Sequence, residues 1–173
     1  MRVASRAVGT IPAVQLRLVR RDDAEAIRAI YNLEVLTGTN TFDLVPRTLE
    51  DQQAWIDRHR GAHPAVVAWD DRVLGFAVVS PFRDRAAYAT TVEDSVYVHR
   101  EHRGKGVGRA LLEEVLRLAA GHGFHAVIAR ISSENDASLH LHRACGFELV
   151  GVEKEGGRKH GRWLDVVELQ KMV

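Results

Sequence analysis

Val92-Glu93-Asp94-Ser95-Val96-Tyr97-Val98, then His99-Arg100-Glu101-His102-Arg103-Gly104-Lys105-Gly106-Val107-Gly108, then Arg109 at the start of a long amphipathic stretch: this run decides the fold. Its first part is β-rich from Tyr88 to Val98. Its last part places Leu111, Val115 and Leu118 on one helical stripe and Leu112, Leu116 and Ala119 on the next, with Glu113, Glu114 and Arg117 outside. Between them, Gly104, Gly106 and Gly108 let the backbone adopt positive φ and approach a ligand closely. Successive N–H groups then converge at the positive end of a helix dipole, where an anion such as pyrophosphate fits. Arg103, Lys105 and Arg109 add positive charge at the rim. Read alone, the same residues also make a plain glycine-rich turn with solvated basic side chains. The chain has no Gly-x-x-x-x-Gly-Lys-[Ser/Thr] and no Gly-x-Gly-x-x-Gly at its first strand–helix turn, which excludes a P-loop and argues against a dinucleotide fold.

Outward from this unit the pattern stays mixed. Val14, Leu16 and Leu18 alternate with polar residues and predict a strand. Asp22 and Glu25 resemble a capping box before a helix over about Asp23–Leu36. Thr48 opens a second helix running to about Arg60. Ala65–Trp69 and Val73–Ser80 read as a hairpin turning at Asp70-Asp71-Arg72. Phe124–Ile131 predicts a strand, Asn135 to Gly146 brackets a helix, and Phe147–Val152 and Trp163–Leu169 close the chain as strands. Long hairpin strands beside a strand–loop–helix unit predict an α+β fold around a mixed sheet.

Composition narrows the setting. The 173 residues carry 24 Lys+Arg and 23 Asp+Glu, a net charge of +1, which gives no global electrostatic reason for nucleic-acid or membrane binding. The single cysteine, Cys145, excludes an internal disulfide framework and predicts a cytoplasmic location. The longest apolar run, Ala65–Trp69, falls far short of the ~20 residues of a membrane span. Residues 1–12 read as a loose, flexible N-terminal arm and 13–173 as one domain. The nine histidines are scattered, and His140 and His142 diverge on their helix, so no metal site is expected.

Val92–Val98 followed by Arg103-x-x-Gly106-x-Gly108 resembles motif A of the GCN5-related N-acetyltransferases (GNAT). Asn135-Asp136-x-Ser138-Leu139-x-Leu141-His142 before Gly146-Phe147 is similar to the next helix of that superfamily. Lys159-His160-Gly161-Arg162-Trp163-Leu164-Asp165-Val166, Ile30-Tyr31-Asn32 and the Thr-Val-Glu at Glu93 resemble one subgroup, the phosphinothricin and methionine sulfoximine acetyltransferases. The resemblance covers about residues 15–170. It implies a GNAT fold, a mixed and mostly antiparallel sheet flanked by helices. It also implies acetyl-CoA as cosubstrate, a small amino acid or analogue as acceptor, and a homodimer.

It further implies residue roles. Val96, Tyr97 and Val98 turn main-chain groups to the pantetheine arm and thioester, and Arg103, Gly104, Lys105, Gly106, Val107, Gly108 and Arg109 hold the pyrophosphate. Asn135, which in sequence also reads as a helix cap, contacts the cofactor arm. Glu93 is the expected general base, because an α-ammonium with a pKa of about 8 is mostly protonated at neutral pH. His142 stands where many relatives carry Tyr as acid for the leaving thiolate. Phe82, Arg83 and Arg85 correspond to an acceptor-lining region, and Asp94 and Ser95 adjoin Glu93 to complete it. Another acceptor (a polyamine, an aminoglycoside, a protein N-terminus) and a non-catalytic acyl-CoA sensor remain as alternatives.

Overall fold

A computed structural model describes residues 14–173, so the expected arm at 1–12 lies outside the described residues. Strands β1 (Gln15–Leu18), β2 (Ala65–Asp70), β3 (Arg72–Pro81), β4 (Thr91–Val98), β5 (Ala126–Ser132), β6 (Glu148–Lys159) and β7 (Arg162–Met172) form one sheet in the order β1-β2-β3-β4-β5-β7-β6. Every neighbouring pair is antiparallel except β4–β5, which is parallel. The class is α+β, as the pattern predicted.

Helices cover both faces. α1 (Ala24–Thr37) and α2 (Leu49–Arg58) set Ile27, Ile30, Tyr31, Trp55 and Ile56 against Val67, Phe76 and Val78. α3 (Val107–Gly121) sets Leu111, Leu112, Val115 and Leu116 against Val66, Ala77, Val79 and Val92 on the other face, and α4 (Asp136–Ala144) adds Leu139. Sandwiching explains why Ala65–Trp69 is apolar without alternation: β2 is buried on both sides.

Several boundaries differ from the sequence reading for local reasons. The first helix is not capped by an Asp22–Glu25 box. Asp23 turns back instead, accepting from the Arg20 N–H at 2.7 Å and pairing with Arg17, while Glu25 binds Arg28. β4 begins at Thr91, because Ala86–Tyr88 forms a short 3₁₀ turn in which Tyr88 packs edge-on to Phe82. β6 runs seven residues beyond Val152, to Lys159. Its charged stretch carries a bulge between Glu153 and Gly157, where Glu155 has φ +51° and Asp165 accepts from its N–H. The hairpin then turns through His160 (φ +49°) and Gly161 (φ +77°), the two left-handed residues that a tight hairpin favours. No helix among the described residues is long and apolar enough to cross a membrane.

β4 ends in a turn that feeds α3 through Gly106, the helix N-cap, at φ +82°. A side chain there is strained by about 1–2 kcal/mol. Gly106→Ala should therefore lower unfolding free energy by about that amount. Urea denaturation with an unchanged slope is the check.

Candidate functional site

β4 and β5 share register only over Thr91–Glu93, opposite Ala126–Ile128. β4 continues to Val98 on β3, and β5 continues to Ser132 on β7, so the two strands part beyond Glu93. A cavity of about 500 Å³ opens in the gap. Its walls are Asp94–Val98 of β4, Ala129–Ser132 of β5, the Arg103–Gly108 turn with Arg109, and Asn135, Ser138, Leu141 and His142 at α4. The structure thus brings together twelve of the residues singled out in the sequence: Asp94, Ser95, Val96, Tyr97, Val98, Arg103, Gly104, Gly106, Gly108, Arg109, Asn135 and His142. The β4 edge facing the gap has no strand partner, so its N–H and C=O groups are open to a ligand with amides of its own.

At the wide end, Gly104 (φ +71°) and Gly106 are both left-handed, and α3 starts immediately after them. A Cβ at Gly108 would sit 3.3 Å from Leu141 and 3.5 Å from Val98, so the first turn of α3 is packed against the cavity wall. Lys105 is exposed, outside the lining. Val107 is a core residue by its side chain, so only its main chain can serve an anion. Arg103 and Arg109 are less free than expected. Arg109 binds Glu113 at 2.7 Å, while Arg103 donates to the Val98 carbonyl and to Glu34 at 2.8 Å.

Glu34 is a residue that the sequence reading missed. It is 2% exposed and accepts from Arg100 (3.0 Å), Arg103 and the Asn40 amide (2.7 Å). Burial alone would raise its pKa, but the two guanidinium groups outweigh this and hold it below the ordinary value. The signal was available: Glu34 continues the apolar stripe Ile27, Ile30, Tyr31 of α1 at helical spacing. Lys159, also buried, donates to the carbonyls of Thr41 (2.7 Å) and Glu34 (3.3 Å), tying the β6–β7 turn to the end of α1 and the following loop.

Strand alternation sorts the β4 side chains. Asp94 points toward α4, and its Oδ2 lies 3.0 Å from Nε2 of His142, with both side chains at most 3% exposed. This corrects the expectation that Asp94 completes a pocket with Glu93, since adjacent strand residues face opposite sides. His142 Nδ1 donates to the Ser138 carbonyl at 2.8 Å. Burial pulls the His142 pKa down, yet the Asp94 carboxylate raises it above the ordinary value overall. Asn135 caps α4 by accepting from the Ser138 N–H at 3.1 Å.

Glu93 is half-buried on the same side of β4 as Tyr97, near Arg130 of β5, Glu168 of β7 and Glu153 of β6, and outside the cavity lining. Burial lifts its pKa; Arg130 opposes the lift, and Asp94, Glu168 and Glu153 add to it. Tyr97 is locked by Tyr31, edge-on at 5.1 Å, and Phe76, stacked at 5.3 Å. Phe82, Arg83 and Arg85 follow directly on β3, where Ser80 pairs with Glu93. They stand beside the Glu93 end of β4 but outside the cavity lining. Arg83 is exposed, stacked on Phe82 at 4.6 Å and donating to the Tyr88 hydroxyl at 3.3 Å. The histidines are less scattered than the sequence implied: ligand atoms of His99, Glu101 and His102 gather within 4.8 Å. Arg72 stands 3.1 Å from Nε2 of His102.

The acetyltransferase (GNAT) family model matches residues 27–147. A phosphinothricin N-acetyltransferase of Alcaligenes faecalis is 41% identical over 162 residues, covering 92% of this chain and 82% of that protein. An L-methionine sulfoximine/L-methionine sulfone acetyltransferase of Pseudomonas aeruginosa is 42% identical over 151 residues, 86% of this chain and 88% of that one. The crystal structure of a phosphinothricin acetyltransferase from Sinorhizobium meliloti in complex with AcCoA superposes with a TM-score of 0.90 at 40% identity, covering 94% of this chain and 89% of that chain.

The Glu34 pairing has a pH signature. Its pKa is lowered in the fold, so the stability it contributes is present above the unfolded value of about 4.3 and is lost as pH falls through the folded value. Glu34→Gln should cost about 1–3 kcal/mol at neutral pH, below the figure for a fully buried pair because both guanidinium groups are half-exposed. The variant should also show a shallower acid limb in a plot of unfolding free energy against pH.

Proposed function

The chain belongs to the acetyltransferase (GNAT) family, and from that premise we propose that it transfers the acetyl group of acetyl-CoA to the α-amine of a small amino acid or analogue, of the phosphinothricin or methionine sulfoximine type. The observation that carries this reading is Glu93, a carboxylate of raised pKa at the point where β4 and β5 part. An ammonium acceptor needs a group there that takes a proton near neutral pH.

The residues present fit acetyl-CoA: an unpartnered strand edge for an extended amide-bearing arm, and a left-handed glycine turn at a helix N-terminus for its phosphates. When bound, it supplies an acyl group activated as a thioester. Main-chain N–H groups from Gly104 to Gly108 hold the pyrophosphate, with Arg103, Lys105 and Arg109 adding charge, and Asn135 keeps amide donors free for the arm while its oxygen caps α4. A main-chain donor within Val96–Val98 steadies the carbonyl oxygen as negative charge develops. Glu93 takes the ammonium proton, directly or through water, so that the amine attacks the thioester carbon. Ser95 shares the Glu93 face of β4. His142 supplies the proton that the departing thiolate needs. Phe82, Arg83 and Arg85 receive the acceptor's carboxylate end.

The enzyme works in the cytoplasm as a homodimer, without nucleic acid, membrane or metal. Exposed Leu149, Val150 and Val152 on the edge strand β6 support self-association.

Two substitutions test the reading. Glu93→Gln keeps the size of the side chain but accepts no proton, so kcat should fall ~10²–10⁴-fold at neutral pH and partly recover at high pH, where free amine dominates. Thiol release from acetyl-CoA over a pH series, with methionine sulfoximine and phosphinothricin among the acceptors, measures it. Arg83→Ala should raise KM for an amino acid ~10–100-fold and affect the matching amide much less, leaving acetyl-CoA affinity unchanged. Arg85→Ala is measured in parallel. Equal effects of Arg83→Ala on acid and amide would remove Arg83 as the carboxylate reader.

A further inference from the structure

The proton for the thiolate has no direct route out of His142. Nε2 faces Asp94 at 3.0 Å, Nδ1 faces Ser138, and the ring is buried beneath Phe147, whose centroid is 5.0 Å away. A carbonyl oxygen only accepts, so Nδ1, 2.8 Å from the Ser138 carbonyl, carries a proton. The same Nδ1 lies 3.3 Å from the Ser138 hydroxyl. A protonated Nδ1 cannot take the serine's proton, so Ser138, His142 and Asp94 do not form a nucleophile-activating triad. They are arranged to give a proton instead. Of the three, Ser138 is the partly exposed one, and its hydroxyl can rotate. Asp94 keeps Oδ1 without a partner, so among the described residues its side chain serves His142 alone.

We propose that Ser138 hands the proton to the departing CoA thiolate and that His142, held by Asp94, replaces it. The inference rests on the acetyl-transfer reading above. As the nitrogen–carbon bond forms and the carbon–sulfur bond breaks, the bonding pair goes to sulfur. The Ser138 hydroxyl proton passes to sulfur while the Nδ1 proton passes to Ser138 Oγ, leaving neutral imidazole with Nε2–H on Asp94. The acceptor nitrogen loses two protons through Glu93 to solvent, one returns to His142, and one is released overall. Ser138 is the catalytic residue; His142 and Asp94 position and supply the proton.

The charged group facing His142 is Asp94 of β4. The other titratable groups at this end surround Cys145: Arg109 and Glu113 of α3 and Lys171 of β7. A donor that must be protonated works below its pKa and fails above it, so the Asp94 carboxylate extends activity toward high pH.

The test is kcat at saturating acetyl-CoA and acceptor between about pH 6 and 10. Ser138→Ala should lower kcat by about 10², the low end for a lost general acid because a thiolate is a good leaving group, with KM for acetyl-CoA little changed. Ser138→Thr keeps a hydroxyl and should restore most of the loss. Asp94→Asn should move the alkaline fall of kcat to lower pH. Wild-type kcat in Ser138→Ala, equal losses in the Ala and Thr variants, or an unmoved alkaline limb in a folded Asp94→Asn would each overturn the relay. If Asp94→Asn does not fold, the two Ser138 variants still decide. Amine-dependent thiol release by the wild-type protein is scored separately. Its absence overturns acetyl transfer and the relay together, whereas its presence with an unaffected Ser138→Ala overturns the relay alone.

Discussion

Two parallel strands that pair for three residues and then separate set the terms for the rest of this molecule. Each is fixed from its outer side, β4 by β3 from Val92 to Val98 and β5 by β7 to Ser132, so the gap is held open by two rigid ladders. An unpaired strand edge in the middle of a sheet leaves peptide groups without partners. Closing the gap would satisfy them but would pull each strand off its outer neighbour. A ligand with amides satisfies them without that cost, and the helix N-terminus at the wide end supplies a site for its charged tail.

The period of the β-strand then separates the two halves of the chemistry. Glu93 and Asp94 are consecutive, so one shares the Tyr97 side of the sheet and the other faces α4. The first is buried beside carboxylates that favour its protonated form, and the second pairs with an imidazole whose pKa it raises. Two titratable sites, Glu93 and the Asp94–His142 pair, are thereby placed on opposite faces of one strand, the second of them on the cavity wall. A slip of one residue in the β3–β4 register would exchange the two. That register is fixed by Val92, Val96 and Val98 on the α3 side and Tyr97 on the α1 side.

What was legible in the sequence followed from local order. The glycine turn, the amphipathic α3 and the strand before them are neighbours in the chain, and their periodicities are strong enough to place them. The doubly buried β2–β3 hairpin was equally plain. The long β6–β7 hairpin was only half visible, because its outer strand beyond Val152 carries glutamates, lysines and two glycines with nothing apolar among them. Its length comes from pairing with β7 and from the His160-Gly161 turn. Asp94 was assigned to the wrong face because adjacency in sequence was read as adjacency in space. The α1 stripe could have marked Glu34 as buried, but its arginine partners and the Lys159 contact lie 66 to 125 residues away, a separation at which no spacing rule operates.

Those two residues also give a physical reason for a C-terminal Lys-His-Gly turn to accompany a glycine loop more than 50 positions earlier in the sequence. Arg100 and Arg103 of the turn before α3 bind the Glu34 carboxylate, and Lys159 of the hairpin donates to the Glu34 carbonyl. Asn40, which lines the cavity, completes the carboxylate's partners. Two segments distant in sequence, and the loop that follows α1, are therefore fastened to one residue near the end of α1. Lys159 is buried with its pKa lowered by desolvation, so its bonds to the Glu34 and Thr41 carbonyls are what hold its ammonium there. The glycine-turn wall of the cleft and the β6–β7 hairpin consequently share a support, and displacing the α1 end strains both.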